Sequence, residues 1–186
     1  PPRALNSPPP AYNAAMTTST ALSQPASPDS WPAVLAQIAD RAAELDPAST
    51  WPQKNLAELA AAGALAWSVP ADAGGTAIDP VELHRRYAAC ASACLTTALV
   101  WTQRDSAVGF LLGADPTPFT HDLLTHLAHG HIFATIGIAQ LTTSRQHLPP
   151  QVVARRVPHG WRIAGKIPWV TGAPHAEYIT CGAALP

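Results

Sequence analysis

The chain has 186 residues, a formal net charge of −1 and only 12% charged side chains, so it has neither the basic stripe that nucleic acid would need nor an acidic tail. Hydrophobic residues make up 47%, yet no run of about 18 apolar residues occurs, which argues against a membrane-spanning helix. Cys90, Cys94 and Cys181 are too sparse and irregular for a disulfide framework. With no basic and apolar segment of a secretory signal at the front, a cytoplasmic setting is the expectation.

Residues 1–29 are rich in Pro, Ser, Ala and Thr, bury too little apolar surface to offset the entropy of ordering, and are expected to form a flexible tail. The chain opens on Pro1, has its only methionine at Met16 and stops directly after an apolar run. It is expected to be a fragment whose natural translation begins at Met16. Ser30-Trp31-Pro32 opens a first helix, with Val34, Leu35, Ile38, Ala42 and Leu45 at helical spacing. Thr50-Trp51-Pro52 repeats the device, and Leu56, Leu59 and Ala60 carry a second helix to Gly63. Trp67 to Gly75 is read as a loop because it combines Pro70 with the Gly74-Gly75 pair. Asp79-Pro80-Val81-Glu82 resembles a capping box, and Leu83, Tyr87, Cys90 and Cys94 follow on one buried stripe. Further helices are expected at about 97–112 and 118–129, the latter started by Thr117-Pro118 and closed by Gly130.

From His131 the pattern changes. Ile132 to Ala139 is a short apolar, β-branched run that reads as a buried strand. Val152-Val153-Ala154, Trp161-Arg162-Ile163, Trp169-Val170-Thr171 and Tyr178-Ile179-Thr180 are read as further strands parted by turns. The expected class is α+β: a helical bundle over 30–130, then an incomplete antiparallel β-barrel domain over 131–186.

Three motifs in order carry a family resemblance. Pro70-Ala71-Asp72-Ala73-Gly74-Gly75 is similar to a Pro-x-x-x-Gly-Gly loop. Ile136 to Ser144 is similar to a strand and loop that approach a flavin. The run from Gly160 to Ala173, with Lys166, Trp169, Val170 and Thr171, is the most specific. Together they resemble the front portion of an acyl-CoA dehydrogenase-type flavoprotein over residues 30–186. The resemblance implies FAD as cofactor, and no Gly-x-Gly-x-x-Gly fingerprint points to a nicotinamide cofactor instead. It implies cofactor contacts from Ile138, Ala139, Gln140, Leu141, Ser144, Trp169, Val170 and Thr171. The upstream stretch departs from the family, which has Thr-Glu-Pro and then Gly-Ser where this chain has Ala139-Gln140-Leu141 and then Thr142-Thr143-Ser144. Backbone contacts survive such a replacement, but a lost hydroxyl that left a buried partner unfilled would cost roughly 1–3 kcal/mol.

The resemblance further implies an oxidoreductase that dehydrogenates an acyl-CoA thioester at its α,β carbons, as in fatty acid metabolism. A later helical domain would hold the catalytic base and mediate homo-oligomer contacts. No catalytic residue is assigned in this chain, which is expected to be inactive alone, and the electron acceptor is unspecified. Two alternatives stay open: a flavin-dependent monooxygenase or nitroalkane-oxidase-like enzyme on the same scaffold, and a non-catalytic scaffold that has lost flavin. Lys166 is read as a solvated turn residue, Arg85 and Arg86 as flanking a solvated helix face, and Cys90 and Cys94 as packing residues. His121, His126, His129 and His131 lack a recognised ligand spacing, and no metal site is assigned.

Overall fold

The computed structural model describes residues 30–48, 50–141 and 148–185. The first elements follow the apolar stripes. Helix α1 (Trp31–Ala48) buries Val34 and Ile38 and leaves Leu35, Ala42 and Leu45 partly covered. Helix α2 (Gln53–Ala61) follows Pro52 and is terminated by Gly63, whose φ of 72° is left-handed and free of the Cβ clash that other residues would meet. Asp79 caps α3 (Pro80–Ala93), its side chain accepting from Val81 and Glu82 N–H at 3.0 and 3.1 Å. Glu82 does not close a capping box; it pairs with Arg85 at 3.6 Å and Arg86 at 2.7 Å.

The single stripe from Leu83 to Cys94 is interrupted. Cys94 is extended, with φ −158° and ψ 108°, so α3 stops at Ala93 and α4 (Leu95–Leu112) starts in a new direction. No Gly or Pro marks this break. Tertiary bonds accompany it: Asn55 Nδ2 donates to Thr97 Oγ1 at 2.8 Å, and that hydroxyl donates to Cys94 Sγ at 3.1 Å. Cys90 is fully buried, and desolvation, with Cys94 alongside, pushes its thiol up to about 12, which makes it a poor nucleophile near neutral pH. Helix α5 (Pro118–Ala128) begins with a capping box that Thr117 and Thr120 form reciprocally.

Two apolar clusters result. In the first, Trp31, Ile38, Leu59 and Trp101 pack with Trp67 and Tyr87, and the Trp31–Trp67 and Tyr87–Trp101 ring centroids lie 5.0 and 4.8 Å apart, edge to face. Arg86 belongs to this cluster rather than to a solvated face: its guanidinium lies 5.4 Å from the Trp67 ring centroid and 5.7 Å from that of Trp31. Arg85 is solvated as expected. The second cluster joins Val69, Val108, Leu123 and Leu127 to Ala134 and Ile136 of β1 (Ala134–Gly137). The first strand is thus built into the helical core, and all four of its residues are buried.

The β region is not purely antiparallel. Strand β1 pairs in parallel with β4 (Tyr178–Cys181), Ala134 opposite Tyr178 and Gly137 opposite Cys181. Parallel pairing needs a long crossover, and the intervening chain supplies it, including the antiparallel hairpin of β2 (Val152–Val157) and β3 (Gly160–Gly165). A buried apolar run such as Ile132 to Ala139 suits a strand covered on both faces. The expected strand Trp169-Val170-Thr171 is instead loop and turn, because Pro168 withholds an amide and Gly172 bends the chain at φ 70°. Among the described residues no closed barrel forms, and β3 is exposed along its length. Among the same residues no helix is long and apolar enough to cross a membrane.

Candidate functional site

Strand β1 ends beneath the loop that follows β3. A Cβ placed on Gly137 would stand 3.0 Å from Ile167 Cδ1, 3.1 Å from Val170 Cγ2 and 3.3 Å from Ile179 Cγ2. The missing side chain is what allows the loop to settle on the strand end. This contact brings together the two segments that the sequence marks, Ile138–Leu141 and Trp169–Thr171.

In the first segment Ile138 is half-buried against the second cluster, and its carbonyl accepts from Leu141 N–H at 2.8 Å, closing a 3₁₀ turn over Ala139–Leu141. Leu141 therefore has its N–H committed within the turn. Its exposed side chain lies over Gly182, where a Cβ would meet Leu141 Cδ1 at 2.2 Å. Gln140 is buried, and its amide donates to the Gly137 carbonyl at 3.2 Å and the Gly182 carbonyl at 2.6 Å. Its side chain thus ties the end of β1 to the chain after β4, a role its position alone did not suggest. Ser144, with Thr142 and Thr143, lies outside the described residues.

In the second segment Trp169 is 70% exposed, while Val170 and Thr171 are half-buried. Among the described residues no hydrogen bond engages the N–H groups of Trp169, Val170 or Thr171. The loop is anchored from the other side. A Cβ on Gly172 would lie 2.6 Å from Trp51 Cζ3, and Trp51 stacks on His175 with centroids 4.3 Å apart and planes 11° from parallel. Trp51 also meets Phe133 edge to face at 4.9 Å. The start of α2 therefore fixes the far end of the loop, and it borders an open groove of about 400 Å³ lined in part by Thr50, Trp51, Thr96 and His175. Trp51 reads from sequence only as part of the helix-opening Thr50-Trp51-Pro52, and His175 only as following the Gly172-Ala173-Pro174 turn.

These features fit a flat, conjugated ring with apolar faces and a polar edge. An uncovered indole can lie against a face, and three adjacent N–H groups without internal partners suit acceptors along the edge. Lys166 is exposed, as a turn residue should be. Among the described residues no three His, Cys, Asp or Glu side chains converge to hold a metal ion.

No protein-family model and no curated protein matches the chain. Solved structures do match in shape. FkbI, which serves biosynthesis of the methoxymalonyl extender unit of the Fk520 polyketide immunosuppressant, matches 83% of this chain at a TM-score of 0.72 and 22% identity. Methanesulfinate monooxygenase MsuC from Pseudomonas fluorescens matches 86% at 0.72 and 19% identity. The steroid acyl-CoA dehydrogenase (ACAD) Tcur3481-Tcur3483 matches 85% at 0.55 and 21% identity. The fold is that of the acyl-CoA dehydrogenase-type flavoproteins. The chain spans 43%, 40% and 45% of these three neighbours, less than half of each. Within that acyl-CoA dehydrogenase-type fold, the Trp169–Thr171 loop and the end of β1 form the candidate cofactor surface.

Proposed function

We propose that this chain forms the flavin-contacting front part of an FAD-dependent oxidoreductase, whose leading activity is α,β-dehydrogenation of an acyl-CoA thioester. The observation that carries the reading is the exposed Trp169 beside three N–H groups with no internal partner, on a loop locked over Gly137 at one end and against Trp51 at the other. Trp169 would cover one face of the isoalloxazine ring, and the N–H groups of Val170 and Thr171 would meet its polar edge. Gln140 holds the strand end beneath that surface by its two carbonyl bonds. Ile167, Val170 and Ile179 pack against Gly137 on the underside of the loop. Bound FAD supplies the capacity to accept a hydride. The base, the electron acceptor and the contacts between subunits belong, in this reading, to a later helical domain.

A second reading, a flavin monooxygenase, is supported by the turn at Ala139–Leu141. Gln140 faces into the protein there and Leu141 N–H is spent within the turn, in the Ala139-Gln140-Leu141 stretch whose sequence departs from the acyl-CoA enzymes; the likeness to MsuC points the same way. The protein at its natural length, loaded with FAD, separates the two. Under anaerobic conditions a dehydrogenase is bleached at its visible flavin band by a matching acyl-CoA thioester. A band that no thioester bleaches, in a protein that consumes oxygen when supplied with reduced flavin, supports the monooxygenase and overturns the dehydrogenase.

A further inference from the structure

Helix α5 closes in a Schellman arrangement. Gly130 adopts φ 68°, its N–H donates to the Leu127 carbonyl at 3.0 Å, and His131 N–H reaches back to the His126 carbonyl at 2.9 Å. In this motif the residues at the positions of His126 and His131 commonly make a hydrophobic contact across the helix end. Here both are histidines, and their Nδ1 atoms stand 3.5 Å apart. Gly130 is itself wedged into the core, since a Cβ there would meet Ala60 Cβ at 3.0 Å and Leu65 Cδ1 at 3.2 Å. The backbone carrying the two imidazoles is therefore fixed by a glycine turn, two hydrogen bonds and packing.

Two imidazole nitrogens bound to one tetrahedral zinc at about 2.0–2.1 Å each lie about 3.3 Å apart. The observed separation matches that spacing. We propose that His126 and His131 form a two-histidine chelate for a divalent transition ion of the zinc, nickel and copper class, with water completing the coordination. His129 is a positioning residue. Its Nδ1–H donates to the Thr125 carbonyl at 2.8 Å, and its ring stacks on that of His131 at 5.5 Å and 20° between planes. Its Cε1 would be 2.9 Å from a Cβ on Gly74, so it rests on the 70–75 loop. All three rings are exposed, so an ion can reach them without opening the fold. The protein supplies two donors and solvent the rest.

The test titrates the full chain with copper(II) chloride alone and reads electron paramagnetic resonance. The expected spectrum shows nitrogen couplings from two imidazoles in the wild type and from one in His126→Gln or His131→Gln, with affinity falling about tenfold or more in each. His84→Ala, at an exposed histidine on α3, should bind as the wild type does. Circular dichroism confirms folding; should His131→Gln unfold, His126→Gln, at an exposed helix position, carries the test. Unchanged affinity in a folded His126→Gln, or a wild-type spectrum with a single imidazole coupling, overturns the proposal.

Discussion

Replacing Arg104 with leucine is expected to cost about 3–5 kcal/mol of stability, because it removes one partner of a buried ion pair and leaves the other charge behind. Arg104 and Asp105, adjacent on α4, have side chains only 2% and 5% exposed. The Arg104 guanidinium donates to the Asp105 carboxylate, to the Leu127 carbonyl at the end of α5, and to Ser68 Oγ at 3.2 Å. Tyr87 on α3 donates its phenol to the same carboxylate at 2.6 Å. Burial first, and then the Asp105 charge, push that phenol well above the ordinary tyrosine range, so it stays protonated and remains a donor. One guanidinium thus links α4, α5 and the chain after α2, and Tyr87 joins α3 to the same network. Arg104→Leu leaves Asp105 with the phenol as its remaining side-chain donor. The double variant Arg104→Leu/Asp105→Asn should recover part of the loss, since no uncompensated charge remains. Urea unfolding, compared at equal m-values, measures both. A single-variant loss below about 1 kcal/mol would be the value of an exposed pair and would contradict a buried network.

Gly75→Ala is expected to cost roughly 3 kcal/mol or more, the upper range for overpacking, and to cost more than Gly74→Ala. The two neighbours are glycine for different reasons. Gly74 has φ 79°, where an added Cβ carries a penalty of about 1–2 kcal/mol, and its nearest neighbour is the edge of the His129 ring, which can swing. At Gly75 the obstacle is space: a Cβ would stand 1.9 Å from Val69 O, 2.3 Å from Val69 C and 2.6 Å from Val69 Cβ. Backbone cannot yield there, because Val69 is fully buried and the loop is laced by Gly75 N–H to Pro70 O, Thr76 N–H to Ala66 O and Ala77 N–H to Val69 O, each at 2.9 Å. Thermal unfolding of the two variants ranks them. A smaller loss at Gly75 than at Gly74 would contradict the close approach.

The local signals in the sequence carried far. Pro32, Pro52, Pro80 and Pro118 each sit within a helix start or just before it, and Gly63 and Gly130 lie just beyond helix ends. Such signals act through a few neighbouring dihedrals, so they can be read from a short window. What tertiary packing decides was less legible. The break at Cys94 has no local breaker and coincides with bonds from Asn55 and Thr97, and no local pattern marks Arg104 and Asp105 for their partners on α5 and α3. The Trp169–Thr171 run, expected as a strand, is loop and turn, because strand propensity there yields to Pro168, Gly172 and the anchor at Trp51. Gln140 was marked for its backbone, yet its side chain makes the contacts that hold the site together. The His126–His131 pair was discounted on linear spacing; its proximity comes from the reversal at Gly130.

In the proposed function, the exposed face of Trp169 and the loop beside it hold a flavin. The most direct measurement is an FAD titration of the protein at its natural length, followed by its visible absorption band, for the wild type and for Trp169→Ala. A bound, yellow wild type is expected, with a variant that folds but binds FAD about tenfold more weakly, the equivalent of roughly 1.4 kcal/mol of lost stacking. A wild type that gains no flavin band, or a variant that binds FAD as tightly as the wild type, would contradict it.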